Sequence, residues 1–296
     1  MLETESASML LFRSLGLENV AWSLRRLHCP VDRQALVLDI GSGGNPYPRA
    51  NVLLDAYEDT VERFHVPLVR DRPIVYGLAE RLPFRDKAFD FIIASHVFEH
   101  SQDPVAFLKE IIRVGKAGYI ETPDAFFEMI NPFRFHRLEV TGIDNRLVIF
   151  KKPSWRHHQT LVDLYERKLK DRQFIRYIQK HPEPFYTRFY WQGNIEYSVQ
   201  NPEVDITWTI PDHPCGLDTD NGLKGKIRRK AVQVMRRLFS QNGRNRRIHL
   251  LNLLRCPSCC LDSLQETEDA ILCISCHEVY HVRNGIPVMY PQGQHL

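Results

Sequence analysis

Short runs of apolar and β-branched residues alternate with polar, helix-like segments between residues 36 and 121. The runs are LVLDI, NVLL, PIVY, FDFIIAS and GYIE, and each has the length of one buried strand. Strands that alternate with helices form parallel sheets with helices on both faces. This pattern therefore predicts a doubly wound α/β domain, which we bound at residues 35–152.

The flanking segments have different patterns. Residues 7–28 place Leu11, Leu15, Trp22 and Leu27 among polar residues, which predicts one amphipathic helix ended by Pro30 in an N-terminal segment, 1–34. After Pro123 the chain is richer in aromatic residues. It predicts a hairpin in HRLEV-TGIDN-RLVIF and strands in IEYSV and ITWTI. We interpret residues 153–215 as edge strands with a substrate-facing insertion.

A basic segment follows. The net charge of the chain is only +3, yet residues 221–261 contain eleven Lys and Arg and no Asp or Glu. Proline and glycine predict a linker at residues 212–222, followed by a basic helix within 216–247. One face of that helix would carry apolar residues, namely Ile227, Ala231, Val234, Met235 and Leu238. A linker helix packed on one domain, contact with an anionic membrane and contact with RNA phosphates all stay open.

Composition narrows the class of protein. The chain has 296 residues, 43% of them hydrophobic and 25% charged, as in average soluble proteins, so neither wholesale disorder nor a short stapled peptide fits. Glu3 and Glu5 stand where a secretory signal would carry basic residues, and no apolar stretch reaches about 18 residues. We expect a cytoplasmic protein.

The segment VLDIGSGGN places Asp39 at the end of a strand and Gly41 and Gly43 in the turn that follows. Such a turn lets backbone approach a ligand closely, and Asp55, at the end of the next strand, suits the ribose hydroxyls of a nucleoside. A dinucleotide is disfavoured because the full G-x-G-x-x-G pattern is missing. Only ten residues separate the two strands, which predicts a short or absent first helix.

Residues 35–123 resemble class I S-adenosylmethionine (SAM)-dependent methyltransferases through four successive motifs: VLDIGSG, LLD, AERLPFRDKAFDFIIASHVFEH and DPVAFLKEIIRVGKAGYIETP. The resemblance implies a Rossmann-like, doubly wound, mostly parallel seven-stranded sheet that binds SAM across its carboxyl edge. It also implies roles by position: Asp39, Gly41 and Gly43 around the methionine part, Asp55 at the ribose, Ala79 and Glu80 at the adenine, and Ser95 and His96 on the pocket floor.

Two positions depart from the family pattern. Leu78 stands where an acid often takes the adenine amino group, and Asn45 replaces a third glycine. Asn tolerates left-handed backbone, so the turn itself survives this change. The departures motivate a rival hypothesis, a non-catalytic scaffold that keeps the fold for partner binding.

Methyl transfer is an in-line displacement that requires alignment and, for some acceptors, a base. His96, Glu121 and Asp124, near the carboxyl ends of the fourth and fifth strands, are the candidate catalytic residues. Each has a structural alternative: pocket wall, partner of an arginine, and helix N-cap. The acceptor is expected to be an oxygen or nitrogen of a small molecule, a glycan or a lipid-linked compound, with RNA as the alternative. The sequence lacks the N/D-P-P-Y turn by which amide- and amino-methylating members of the resembled superfamily hold a planar nitrogen. Its absence disfavours adenine and glutamine as acceptors.

His96-Val-Phe-Glu99-His100 also matches the H-x-x-E-H pattern of inverted zinc proteases. Helical spacing would place both histidines on one face, with Glu99 as base. The segment follows a buried strand directly, so we favour a nucleotide pocket at this position.

Two C-x-x-C motifs, Cys256 with Cys259 and Cys273 with Cys276, are separated by thirteen residues. This spacing is typical of zinc ribbons, in which four thiolates hold one structural ion. Cys260 is an alternative to Cys259, His277 or His281 could replace a thiolate, and a redox dithiol is the competing interpretation. We predict a zinc-ribbon domain at residues 248–296. Its residues from about 248 to 291 also resemble the small zinc-ribbon activator subunits of methyltransferases, including an NGIP turn. That resemblance implies intramolecular docking of the ribbon on the methyltransferase core.

Overall fold

The computed structural model describes residues 2–210 and 223–293, with backbone alone for 223–229. The described residues form two compact units, one within 1–30, 94–108 and 117–212 and the other within 31–93, 109–116 and 213–296. The helices are α1 Ala7–Ser14, α2 Glu18–Leu24, α3 Pro104–Val114, α4 Ala125–Ile130, α5 Gln159–Leu164, α6 Arg172–Lys180, α7 Leu223–Phe239 and α8 Asn242–Asn245. Across the described parts of the chain, none of these helices has the length and apolarity that spanning a membrane requires.

The strands number thirteen among the described residues. They are β1 Val37–Ile40, β2 Val52–Asp55, β3 Ile74–Tyr76, β4 Phe89–Ser95, β5 Gly115–Pro123, β6 Leu138–Ile143, β7 Arg146–Lys151, β8 Tyr186–Gln192, β9 Tyr197–Val199, β10 Leu264–Glu266, β11 Ala270–Cys273, β12 Val279–Arg283 and β13 Ile286–Pro287.

The main sheet has the strand order β3-β2-β1-β4-β5-β8. Neighbours β1, β2 and β3 are parallel, and β8 runs antiparallel to β5 from Ala117↔Gln192 to Pro123↔Tyr186. The five strands predicted between residues 36 and 121 are all found. The sheet has six strands in the described chain, one fewer than the seven expected.

Every residue of β1 and β2 is buried, as expected for parallel strands covered on both faces. Residues 41–51, which connect them, form turns without a helix, as the short connection predicts. The carboxyl ends of β1 and β2 therefore reach the glycine turn directly, and this arrangement positions the predicted nucleotide site.

A smaller sheet of order β6-β7-β9 follows. The predicted hairpin is present, but its turn is only Asp144-Asn145, both with positive φ, as in a two-residue type I′ hairpin turn. The predicted strand ITWTI is wrong, because residues 206–210 form no strand. Its backbone carbonyls are used elsewhere: the Arg137 guanidinium donates hydrogen bonds to the carbonyls of Ile206 and Trp208.

The single N-terminal helix predicted over residues 7–28 is also wrong. The chain forms α1 and α2, separated by a turn in which Gly16 has φ +71°, the left-handed conformation that commonly ends helices. Leu11 and Leu15, predicted on the buried face, are exposed. The hydrophobic spacing was compatible with one helix, but the glycine stops it.

The C-terminal region contains α7, α8 and the antiparallel strands β10 to β13. Helix α7 agrees with the predicted basic helix, and Val234 and Leu238 of its apolar set are exposed. The predicted linker at 212–222 lies outside the described residues.

Candidate functional site

The glycine turn after β1 requires glycine for two different reasons. Gly41 and Gly43 have φ of +67° and +54°, where side chains other than glycine are strained. At Gly44 a Cβ atom would lie 2.4 Å from Cγ1 of Val66 and 3.0 Å from the carbonyl oxygen of Pro67. The turn is therefore fixed both by its own backbone and by the segment packed on it.

The two predicted aspartates hold this turn. The Asp39 carboxylate accepts a hydrogen bond from the Tyr47 amide at 2.7 Å and so closes the loop that follows the turn. The Asp55 carboxylate accepts the amides of Gly43 at 2.9 Å and Tyr57 at 3.2 Å. The acid predicted for the ribose and the glycine predicted for the methionine part are thus joined directly.

Arg63 was not predicted and contacts the same carboxylate. Its guanidinium lies 3.2 Å from Asp55 Oδ1 and is anchored by the carbonyls of Val66, Tyr57 and Glu58. Burial raises the pKa of Asp55, while Arg63 and the backbone amides act in the opposite direction. The buried Asp55 carboxylate therefore already has a positively charged partner within the protein, the Arg63 guanidinium.

Ala79 and Glu80 begin a 3-10 turn, Ala79–Arg81, immediately after β3. Both residues are half-buried. The third residue, Arg81, donates to the carbonyl oxygens of Pro257 at 2.6 Å and Ser258 at 3.0 Å. The turn predicted for the adenine side is therefore attached to the first C-x-x-C motif.

In the other unit, Ser95, His96 and Glu121 meet. The Glu121 carboxylate is fully buried and receives the Arg25 guanidinium at 2.7 and 2.8 Å, His96 Nε2 at 3.2 Å and the Ser95 hydroxyl at 3.3 Å. The Tyr119 hydroxyl donates to it as well. This carboxylate is saturated with donors, which matches the alternative in which Glu121 pairs with an arginine.

Neighbouring charged side chains determine the protonation states of His96 and Glu121. Burial disfavours charge on His96, but hydrogen bonds with Glu121 and Glu99 outweigh it and raise the His96 pKa to about 9. Burial likewise opposes charge on Glu121, yet His96 and Arg25 hold its pKa well below the ordinary range. Near neutral pH His96 is thus an imidazolium between two carboxylates, with 41% of its side chain exposed.

Asp124 is the N-cap of α4. Its carboxylate accepts the Phe126 amide at 2.9 Å and the hydroxyls of Thr141 at 2.6 Å and Thr187 at 2.9 Å. These contacts match the capping alternative. The catalytic role predicted for Asp124 remains a prediction with no contact to support it.

The His96–His100 motif does not form a continuous helix. His96 follows the end of β4 with φ +55°, and only residues Phe98–His100 form a 3-10 turn. His100 instead lies against His136, with ring centroids 4.8 Å apart. The helical spacing that a protease of the H-x-x-E-H type needs is therefore missing here.

Three buried charged side chains could not be predicted from the sequence: Glu128 on α4, Glu139 on β6 and Lys152 after β7. Glu128 lies 2.7 Å from both Lys152 Nζ and His136 Nδ1, and all three side chains are buried. Glu139, on β6, is also buried, and this burial raises its pKa to about 7. Glu128 and Glu139 occupy helix and strand positions where alternation alone does not distinguish buried from exposed charge, and Lys152 directly follows β7.

The four cysteines of the two C-x-x-C motifs come together. All four sulfur atoms lie within 4.8 Å of one another, and the Cys256–Cys276 and Cys259–Cys273 pairs are 3.6 and 3.5 Å apart. Sulfurs bound tetrahedrally to zinc at about 2.3 Å would be about 3.8 Å apart. The donor set therefore fits one tetrahedral ion.

Both motifs have the same turn. The residues that follow them, Cys260 and His277, have φ of +62° and +60°, and each donates its amide to the carbonyl of the first cysteine of its motif. Cys260, considered as an alternative ligand, instead accepts the Arg81 guanidinium at 3.2 Å through its sulfur.

No curated protein matches the chain. Similar solved structures include a SAM-dependent methyltransferase from Thermotoga maritima, with 23% identity over 39% of this chain and 55% of that one and a TM-score of 0.27. The chain therefore spans about half of that protein.

Two others cover more of their length. A chain from the Haloferax volcanii complex of the Trm112 methyltransferase activator with a methyltransferase has 16% identity, over 64% of this chain and 96% of that one, with a TM-score of 0.37. A SAM-dependent methyltransferase from Archaeoglobus fulgidus has 18% identity over 63% and 100%, with a TM-score of 0.31. A family described as "Methyltransferase domain" matches residues 38–120 of this chain.

Proposed function

We propose that the chain is a SAM-dependent methyltransferase acting on an oxygen or nitrogen of a small-molecule, glycan or lipid-linked acceptor. The observation that carries the proposal is the hydrogen bond between the Gly43 amide and Asp55, which joins the turn after β1 to the acid at the end of β2 inside the matched region. A carboxylate at that position can accept both hydroxyls of a ribose.

The residues fit the cofactor in chemistry. Gly41 and Gly43 keep the turn free of side chains, Asp55 offers a carboxylate, and the half-buried Ala79–Glu80 backbone lies after β3. Bound SAM would supply the activated methyl carbon. To use Asp55 for a ribose, the chain must release Arg63 from Oδ1, so Arg63 acts as an internal competitor for that oxygen.

The candidate bases act as positioning groups in this proposal. Because His96 is protonated near neutral pH and Glu121 is saturated with donors, neither is ready to remove a proton. Both N–H groups of His96 face carboxylates, Nε2 at Glu121 and Nδ1 at Glu99, so the partly exposed imidazolium ring can hold an acceptor through its positive charge. Acceptors that are already nucleophilic at neutral pH suit such a site.

Asp55→Asn should weaken SAM binding roughly 10- to 100-fold, because hydrogen bonds to a charged group contribute about 1.5–3 kcal/mol. Isothermal titration of the full chain with SAM measures this change. Asp59→Asn is the matched control, since Asp59 lies on the same segment but is exposed and pairs only weakly with exposed His65. Equal affinities for the two variants would contradict the assigned role of Asp55.

The rival function, a non-catalytic scaffold, is favoured by one observation: Arg63 already occupies Asp55. The same titration separates the two functions. Failure of the wild-type chain to bind SAM at millimolar concentration would favour the scaffold. Binding followed by methyl incorporation from labelled SAM into a metabolite extract would support the enzyme, and incorporation into RNA would favour an RNA methyltransferase.

We further propose that the cysteine cluster holds a structural zinc ion and that its ribbon, residues 248–293, stabilises the methyltransferase domain. Support comes from an antiparallel bridge between Phe84 and Leu254, both fully buried, and from Arg81, which donates to two carbonyls of the first cysteine turn. The Tyr290 hydroxyl adds a hydrogen bond to the Ala56 carbonyl at 2.5 Å. The contacts fall on the turns that carry the predicted cofactor residues.

Arg81→Ala should lower the free energy of unfolding by roughly 1 kcal/mol, because it removes two hydrogen bonds from a charged but exposed donor. It should also weaken SAM binding, since the Ala79–Arg81 turn loses its anchor. Urea unfolding and SAM titration measure the two effects. Lys109→Ala, an exposed cation of the same unit, is the control, and a loss of the same size there would contradict the anchor.

Helix α7 carries the remaining partner proposal. Its described side chains combine exposed Val234, Leu238 and Phe239 with arginines, of which Arg236 pairs with Asp71 at 3.0 Å. The exposed apolar side chains support contact with an anionic membrane surface, whereas the Arg236–Asp71 pair supports a linker helix packed on one domain. Salt-sensitive RNA binding would favour RNA as the partner.

A further inference from the structure

Three side chains with metal-binding atoms meet outside the proposed SAM and cysteine sites. Glu139 lies on β6, and His157 and His158 lie just before α5. The distance from Glu139 Oε1 is 3.4 Å to His157 Nε2 and 4.0 Å to His158 Nε2, and all three ligand atoms lie within 4.8 Å of one another.

Two of these atoms are buried without a hydrogen bond. Glu139 is 3% exposed, and its Oε1 atom has no hydrogen-bond partner. The same holds for Nε2 of His157, the atom that faces it. A buried polar atom without a hydrogen bond destabilises the fold, so two such atoms that face each other indicate a ligand bound between them.

The spacing fits a metal ion. Ligands bound tetrahedrally at about 2.0–2.2 Å lie roughly 3.3–3.6 Å apart. The Glu139–His157 distance of 3.4 Å falls in this range, and the Glu139–His158 distance of 4.0 Å lies just above it. Two imidazoles and one carboxylate select borderline divalent ions such as Zn²⁺ over Mg²⁺ or Ca²⁺, which prefer oxygen ligands.

We infer that Glu139, His157 and His158 form a binding site for a divalent transition-metal ion of the Zn²⁺ class. The ion ties β6 to the segment that precedes α5. Three protein ligands leave a fourth position for water or a ligand group.

The residues around this site hold His157 in place and leave His158 partly open to solvent. The Phe150 ring stacks on His157, with centroids 5.7 Å apart and an interplanar angle of 18°. His158 is the N-cap residue of α5 yet makes no side-chain cap, and 35% of its side chain is exposed. The three ligands line one shallow surface depression together with Trp155 and Lys152. Lys152 is neutralised by Glu128 at 2.7 Å and so need not repel a cation.

The test uses the full chain with its cysteine-bound zinc in place. Titration with Zn²⁺ alone, followed by metal analysis after desalting, should give one zinc above the cysteine-bound ion, and added zinc should raise the unfolding temperature. His158→Gln should lower the affinity for this ion more than about 10-fold, since even outer-shell changes at metal sites cost that much. Because His158 is partly exposed and caps nothing, the variant should fold normally.

His181→Gln, the exchange of an exposed histidine in the same unit, is the control and should bind as wild type. Glu139→Gln, with the same shape as the wild type, should abolish the zinc-dependent rise in unfolding temperature without lowering the zinc-free value. The inference is overturned if the wild-type chain takes up no further zinc, or if His158→Gln and His181→Gln bind it equally.

Discussion

Cys256→Ser should abolish zinc retention and unfold the C-terminal ribbon. A structural zinc ion contributes about 10–16 kcal/mol to small metal domains, far more than the core of some 45 residues supplies. Cys256 is fully buried, its sulfur is 3.6 Å from that of Cys276 and 3.0 Å from the Tyr280 hydroxyl, so no water can replace the lost ligand easily. Metal analysis and hydrogen exchange over residues 254–289 measure the loss.

Cys260→Ser offers a matched control. Cys260 directly follows the first motif but lies outside the cluster of four sulfurs, so the same chemical change should leave zinc content intact. Retention of zinc by Cys256→Ser, or its loss from Cys260→Ser, would contradict the assigned ligand set. Loss of exchange protection at Phe84, which is bridged to Leu254, would add that the ribbon stabilises the domain it contacts.

Glu121→Gln should lower the free energy of unfolding by about 3–5 kcal/mol, the usual cost of removing one partner from a buried ion pair. The amide keeps the shape of the side chain but leaves the Arg25 guanidinium and the His96 imidazolium without their shared counter-charge. Urea unfolding measures the change. Glu183→Gln is the control, since its ion pairs with Arg13 and Arg188 are partly exposed and should contribute under about 1 kcal/mol.

The pH dependence of the same variant gives a second readout. The His96 pKa is raised from 6.5 to about 9, so its contribution is complete below pH 6.5 and is lost as pH rises through 9. The Glu121 pKa is lowered, so its contribution is present above pH 4.5 and is lost as pH falls through the folded-state value. Glu121→Gln should flatten both limbs. An unchanged profile would contradict the assigned pair.

The parallel strands could be predicted because each is a short apolar run between polar segments, and the hairpin because two such runs flank a polar turn. The N-terminal helix was mispredicted since hydrophobic period does not register a glycine stop such as Gly16. ITWTI has the alternation of a strand, but Arg137 takes its carbonyls, a long-range interaction that no local pattern contains.

The site was predictable only in part. The position of Asp55 in its motif predicted a ligand-binding residue, and the structure joins its carboxylate to the Gly43 amide. No sequence pattern predicted that Arg63 would form an ion pair with it. Similarly, no sequence pattern joins His157 and His158 to Glu139, which lies on a strand nearly twenty residues earlier. Such sets depend on tertiary folding, and single-sequence spacing does not encode it.

The C-terminal ribbon covers one edge of the main sheet. Strand β3 ends the strand order, and the Val288–Met289 segment of the ribbon lies along it: Met289 donates its amide to the Tyr76 carbonyl at 2.8 Å, and Tyr76 and Val288 form a parallel bridge. An uncovered edge strand presents unpaired backbone groups to other chains. The Val288–Met289 segment therefore covers this edge. If the four cysteines hold zinc as proposed, we expect a chain without the metal to aggregate in a concentration-dependent way before the domain itself unfolds.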